Sequence, residues 1–258
     1  MILEHKGINI FYTDEGLGNT IILLHGFLEN ASMWNPFIAK LSQKNRVVTI
    51  DLLGHGKTGC LGYVHTMELM AETVKAVLHH LKINKSTFIG HSMGGYVALA
   101  FAEKNPEAIN SLCLMNSTPN ADTKEKQENR DRAILAVKKN HKTFIRMAIG
   151  NLFSPENRTI FSEKIKIIIK DAQLTPLQGI IAALEGMKIR KDRQMIFHSA
   201  PYKKMLIVSK KDPVLNYKQL ISQLKNTNIK IVEFPDGHMS HIENELLFLQ
   251  NIVHFIEN

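Results

Sequence analysis

Ser86-Thr-Phe-Ile-Gly90-His91-Ser92-Met93-Gly94-Gly95-Tyr96-Val-Ala-Leu-Ala-Phe-Ala-Glu103 sets a short apolar run directly against an alanine-rich one, with Gly-x-Ser-x-Gly at the junction. Residues 86–89 read as a buried strand and residues 93–104 as a helix, with Ser92 on the turn between them. A sharp strand-to-helix turn exposes the hydroxyl, and exposure is the first thing a nucleophilic serine needs. The same turn crowds the backbone, so the positions two before and two after the serine must be small. Gly90 and Gly94 meet that need. The helix start behind Ser92 also supplies free N–H groups and a positive dipole end. Gly-x-Ser-x-Gly alone is only moderately specific. The strand before it and the helix after it favour a nucleophile elbow over a chance Gly/Ser turn.

Outward from this stretch the chain alternates strand and helix patterns. Residues 2–4 and 8–12 pair naturally as a hairpin around Lys6-Gly7. Residues 21–24 form a buried strand, 32–42 a helix and 46–50 the next strand. Residues 66–81 place Leu69, Met70, Thr73, Val77 and Leu81 at helical spacing. Residues 109–115 read as another strand. This rhythm predicts a mostly parallel sheet covered on both faces. It breaks between Pro119 and Ala200, where four helical stretches follow instead (126–139, 142–152, 155–172 and 176–187). It resumes with strands at 205–208 and 229–234, a helix near 217–224 and a last helix from Glu243. A helical insertion at this point reads as a lid over the carboxyl edge of the sheet, where ligands bind in such folds.

Three further sites lie at carboxyl ends of strands. His25-Gly26-Phe27 follows the strand at 21–24; Gly26 lets the loop turn tightly, and His25 reads as structural. Acyl transfer creates an oxyanion that two preorganised N–H groups can stabilise, and losing one donor can cost about 100- to 1000-fold in rate. The amides of Phe27 and Met93 are the candidates. Asp212 stands in the loop after residues 205–208, and Gly237-His238 closes the strand at 229–234. Asp212 would accept from one imidazole nitrogen of His238, so that the other can take the Ser92 proton. Two alternatives compete: His241 as the base, and Asp122, in the entry to the insertion, as the acid.

Other features point to no additional chemistry. Asp51-Leu-Leu-Gly-His-Gly56-Lys57-Thr58 ends like a phosphate-binding loop but starts with Asp51 where that motif needs glycine. His238-x-x-His241 lacks a third metal ligand in a convincing place. The 2 cysteines form no disulfide framework, and Cys113 falls in an apolar run. A net charge of +8 invites a nucleic-acid reading, yet the lysines are scattered over many helices and often sit beside Glu or Asp. No secretory leader or membrane-length apolar stretch is apparent, so a cytoplasmic location is expected.

With the elbow, His-Gly-Phe, Asp-Leu-Leu-Gly-His-Gly, Asp212 and Gly-His238 in register, the whole chain resembles the α/β-hydrolase superfamily, in its branch with a helical lid. The resemblance implies an α/β fold with a mostly parallel eight-stranded sheet flanked by helices and a lid after the sixth strand. The core would comprise residues 1–118 and 201–258, and the lid residues 119–200. In that family the residues matching Ser92, Asp212 and His238 form the triad, and those matching Phe27 and Met93 supply the oxyanion-hole amides. Dehalogenases and epoxide hydrolases of this fold carry Asp at the elbow, whereas this chain has Ser92. The menaquinone-pathway lyase of this branch typically carries arginine four residues after the nucleophile, where Tyr96 stands here. The expectation is a cofactor- and metal-free serine carboxylesterase acting on a small-molecule ester or thioester, with no nucleic-acid or membrane partner and its oligomeric state open. The alternative is C–C hydrolase, lyase or perhydrolase chemistry on the same triad. Phe144, Met147, Leu152, Phe153 and Met187 would line the substrate pocket.

Overall fold

The computed structural model describes residues 1–225 and 227–257. Asn226 and Asn258, in the segment expected to complete the core, lie outside the described residues. Strands β1 (Ile2–His5) and β2 (Ile8–Glu15) form the expected hairpin, turning through positive φ at Lys6 and Gly7. β3 (Asn19–Leu24), β4 (Asn45–Ile50), β5 (Ser86–His91), β6 (Ile109–Met115), β7 (Lys203–Ser209) and β8 (Lys230–Phe234) complete one eight-stranded sheet, ordered β1-β2-β4-β3-β5-β6-β7-β8. β2 runs antiparallel to β1 and β4; all later pairings are parallel.

The helices are α1 (Asn35–Leu41), α2 (Met67–His80), α3 (Met93–Lys104), α4 (Lys124–Leu152), α5 (Asn157–Ile160), α6 (Ser162–Ala172), α7 (Leu177–Lys188), α8 (Gln194–Ser199), α9 (Tyr217–Gln223), α10 (Ser240–Glu243) and α11 (Glu245–Glu257). Successive strand side chains point to opposite faces, and this divides the core in two. Leu23, Ile89, Cys113 and Ile207 pack with Trp34, with Phe37 of α1 and with Phe248, Ile252 and Phe255 of α11. Leu24, Phe88, Leu114 and Val208 face the other way, onto α2 and α3. α2 starts where the Thr66 hydroxyl accepts the Leu69 N–H at 3.0 Å, and it buries Met67, Met70, Val74 and Val77 along one stripe.

Five helices, α4 to α8, separate β6 from β7. The two helices expected at 126–139 and 142–152 form one run, α4, interrupted where Asn140 leaves helical geometry (φ −160°, ψ 90°). The helix expected at 155–172 divides at Phe161 into α5 and α6, and α8 has no counterpart in the sequence reading. Among the described residues no single helix is long and apolar enough to cross a membrane.

Candidate active site

Ser92 occupies the junction of β5 and α3 with φ 48° and ψ −113°, a conformation that costs a non-glycine residue energy and that the surroundings must enforce. Those surroundings are tight. A Cβ at Gly90 would lie 2.5 Å from the Gly94 carbonyl carbon, and one at Gly94 would lie 2.4 Å from the Leu24 oxygen. The turn is held by the Ser92 N–H, which donates to the Met115 carbonyl at 2.9 Å, and by the Ser117 hydroxyl, which donates to the Ser92 carbonyl at 2.7 Å.

The Asp212 carboxylate uses all of its accepting capacity. Oδ1 accepts the Val214 and Leu215 N–H groups at 2.8 and 3.0 Å, and Oδ2 accepts His238 Nδ1–H at 2.7 Å and Asn116 Nδ2–H at 3.0 Å. Burial pushes this carboxyl up, but the His238 charge and these hydrogen bonds outweigh it and hold it below the ordinary carboxylate value. With Nδ1–H committed to Asp212, the Nε2 lone pair of His238 is left to accept a proton. The imidazole and Ser92 line the same cavity, although no hydrogen bond joins them among the described residues. Such bonds often tighten only when substrate is bound. The His238 N–H donates to the Leu152 carbonyl at 2.8 Å, which fastens its loop to the end of α4.

Neither competing residue joins this group. Asp122 is bound by Arg130 Nε and Arg190 Nη1, each at 2.5 Å. His241 lies buried in α10 with no partner for Nδ1 among the described residues, and burial, then His91, holds it down at about 3. It lines a second cavity of about 420 Å³ instead.

Phe27 follows β3 and lines the cavity beside Ser92, while Met93 is the buried first residue of α3. No protein acceptor takes the Phe27 N–H among the described residues, and the Met93 N–H has none within its own helix, being at its start. His25 has a structural setting: Nδ1–H donates to the Gly26 carbonyl at 2.8 Å and Nε2 accepts the Leu52 N–H at 2.9 Å.

Glu29 and His91 were not singled out by sequence reasoning. Glu29 Oε2 accepts the Gly26 N–H and His91 Nδ1–H, both at 2.7 Å, and His91 Nε2–H donates to the His238 carbonyl at 3.2 Å. One buried ion pair thus ties the Phe27 loop, the elbow and the His238 loop together. Burial opposes both charges, yet their mutual attraction raises the His91 pKa and lowers that of Glu29. Asn116 was missed as well; besides Asp212 it contacts Ser209 and Ser240. Nothing in their sequence flanks assigns these contacts, and only tertiary packing brings together the Phe27 loop, the end of β5 and the residue after β6. The Asp51 loop is equally structural: its carboxylate accepts the Ala31 and Lys57 N–H groups at 2.7 Å.

The cavity has a volume of about 630 Å³, ample for a small organic molecule. Phe144, Leu152 and Met187 line it as expected from sequence. Met147 and Phe153 do not. Residues 144, 148, 149 and 152 are the cavity-facing positions near the end of α4, and Met147 falls on another face, where it is 62% exposed. Phe153 ends the helix and is buried in the core, its ring 6.3 Å from that of Phe161.

A strained serine elbow, a buried acid–imidazole pair and a cavity at the carboxyl edge of a mostly parallel sheet define the hydrolase class of α/β proteins. The family model for the alpha/beta hydrolase fold matches residues 19–160, and the chain belongs to that family. An uncharacterized protein of Mycobacterium tuberculosis is 36% identical over 102 residues, a match spanning 40% of this chain and 30% of that protein's length. A putative 2-succinyl-6-hydroxy-2,4-cyclohexadiene-1-carboxylate synthase of Bacillus subtilis is 27% identical over 271 residues, covering 99% of this chain and 97% of the relative. A thermophilic esterase from Thermogutta terrifontis, solved with malate bound, superposes with a TM-score of 0.91 at 28% identity, over 99% of this chain and 96% of the esterase.

Proposed function

We propose that the protein is a serine hydrolase that cleaves carboxylic esters or thioesters of small to medium acyl groups through an acyl-enzyme. Ser92 is the nucleophile, His238 the general base, Asp212 the group that orients it, and the Phe27 and Met93 amides form the oxyanion hole. The observation that carries this reading is the fully satisfied Asp212–His238 pair on the cavity that Ser92 lines. Ser92 Oγ attacks the acyl carbon while its proton passes to His238 Nε2. The tetrahedral oxyanion collapses, the bond to the leaving oxygen or sulfur breaks, and His238 returns the proton to the leaving group. Water then repeats the sequence on the acyl-enzyme, releasing the acid and regenerating the Ser92 hydroxyl. The solved esterase supports this chemistry.

A chain-length panel of p-nitrophenyl esters tests the reading, run on wild type and Ser92→Ala together. Turnover by wild type and its loss by at least about a thousandfold in the folded variant are expected. Full activity in Ser92→Ala overturns the reading, as does a wild-type protein that neither turns over esters nor is labelled by a fluorophosphonate.

The end-to-end similarity to the Bacillus subtilis protein favours one second reading, non-hydrolytic or C–C bond chemistry on the same three residues. Tyr96, where the lyases carry arginine, speaks against it. Profiling with esters, ring-cleavage diketones and peroxide plus acetate separates the two.

A further inference from the structure

The first three turns of α4 give the cavity a wall unlike the rest. Lys126, Asn129, Arg130 and Ala133 all line it, at the i, i+3, i+4, i+7 spacing of one helix face. Behind them lies Asp122, whose fully buried side chain is shared by Arg130 and Arg190. One buried carboxylate serves two guanidinium groups, Asp192 is the further acid near Arg190, and Lys126 adds a third cation on the cavity side. Arg190 is fixed: its Nε–H donates to the Asn120 carbonyl at 3.0 Å, and its guanidinium lies 4.0 Å from the ring centre of Tyr96, itself a cavity residue. Among the described residues, its Nη2 is buried without an acceptor and Asn120 Oδ1 without a donor.

Arg130 spends only Nε on Asp122, and among the described residues its two Nη groups have no acceptor. Among the described residues, Lys126 Nζ has only the Val214 carbonyl, at 3.3 Å. Burial, and then the Arg190 charge, push this ammonium below its ordinary pKa by more than the Asp122 and Asp212 charges raise it. Glu125, the acidic residue on the same wall, is exposed and pairs with neither among the described residues. A guanidinium oriented by a buried carboxylate, with its outer nitrogens free, is preorganised to hold a second carboxylate.

We propose that Lys126 and Arg130 form an anion subsite, so that the preferred substrates are esters whose acyl group ends in a second, ionised carboxylate. The inference rests on the ester-hydrolase reading above and deepens it. The serine attacks the ester carbonyl while the distal carboxylate rests on the α4 wall, which fixes the acyl chain in the cavity.

The test compares p-nitrophenyl hemiglutarate with the p-nitrophenyl ester of 5-methylhexanoic acid, a neutral acyl group of the same shape. Charge-assisted hydrogen bonds of this kind correspond to about 10- to 100-fold in kcat/KM. Wild type is expected to favour the hemiglutarate by at least about tenfold, and Arg130→Gln and Lys126→Gln each to bring the ratio toward one. Lys126→Gln removes no bond to Asp122, so it answers the question even if Arg130→Gln fails to fold. Calorimetric binding of free glutarate to wild type, weakened in the variants, supplies a readout independent of turnover. Both esters hydrolysed with equal efficiency, or a ratio unchanged in the variants, overturns the subsite and leaves the hydrolase reading standing. Glutarate binding that depends on Lys126, with neither ester turned over, upholds the subsite and overturns the hydrolase reading.

Discussion

Glu29 shows how much one buried side chain can govern in this site. Its carboxylate holds the Gly26 N–H, hence the loop that carries the Phe27 amide, and it holds His91 next to Ser92. His91 in turn touches the His238 carbonyl. A glutamine here keeps the shape but strands the His91 charge, and breaking a buried ion pair typically costs about 3–5 kcal/mol. Glu29→Gln is therefore expected to lower the thermal midpoint and to reduce kcat about 10- to 100-fold with a smaller change in KM. Steady-state kinetics on a p-nitrophenyl ester, beside a melting curve, check this; an unchanged kcat would refute the positioning role. Ser92, Asp212 and His238 were legible in sequence because each sits at a strand exit with a recognisable flank. The contacts of Glu29, His91 and Asn116 were not, because they join parts of the chain far apart in sequence, more than sixty residues for the Glu29–His91 pair.

At the scale of elements, hydrophobic period foretold the strands closely. Residues 109–115 were read as a strand and β6 spans Ile109–Met115. The inserted helices were harder. α4 has a polar surface over much of its length, and its break depends on one residue: the Asn140 side chain accepts the Thr143 N–H at 3.0 Å, capping the second half of the helix. That half carries Phe144, Ala148 and Leu152 into the cavity. Asn140→Ala removes the cap and is expected to cost about 1 kcal/mol in urea unfolding, with Asn140→Ser or Asn140→Asp restoring most of it. Equal stability of all three variants and wild type would show that the break is held by packing instead. The sequence reading took residues 142–152 as a separate helix, yet could not orient its face. That is why Met147 was expected in the cavity although it faces away from it.

For the whole molecule, buried histidines set an acid limit. His25, His55 and His241 are held near 4, 3 and 3, chiefly by burial, against an ordinary value of 6.5. With the folded pKa below the unfolded one, the unfolded chain takes up protons first. Their stabilising contribution is complete above pH 6.5 and is lost as pH falls toward 4 and 3. While it titrates, each histidine removes about 1.4 kcal/mol per pH unit. Glu29 and Asp212, both lowered, act in the same direction at still lower pH. His91, raised, acts oppositely: its contribution is present below 6.5 and is lost as pH rises through its folded value. Urea midpoints are therefore expected to drop steeply from pH 6.5 to pH 5, and a flat profile there would contradict neutral burial of these histidines.

The sequence alone determined the order of the strands, the elbow at Ser92 and the strand exits that carry Asp212 and His238. Those features follow from local period and from glycines whose neighbours in the chain demand them. The tertiary structure decided what each acid is bound to: the sequence favours Asp212 but leaves Asp122 as a competitor, until the sheet places Asn116 and His238 beside Asp212 and two arginines beside Asp122. It also decided the character of the cavity, because a helix face acquires meaning only when another layer is packed against it.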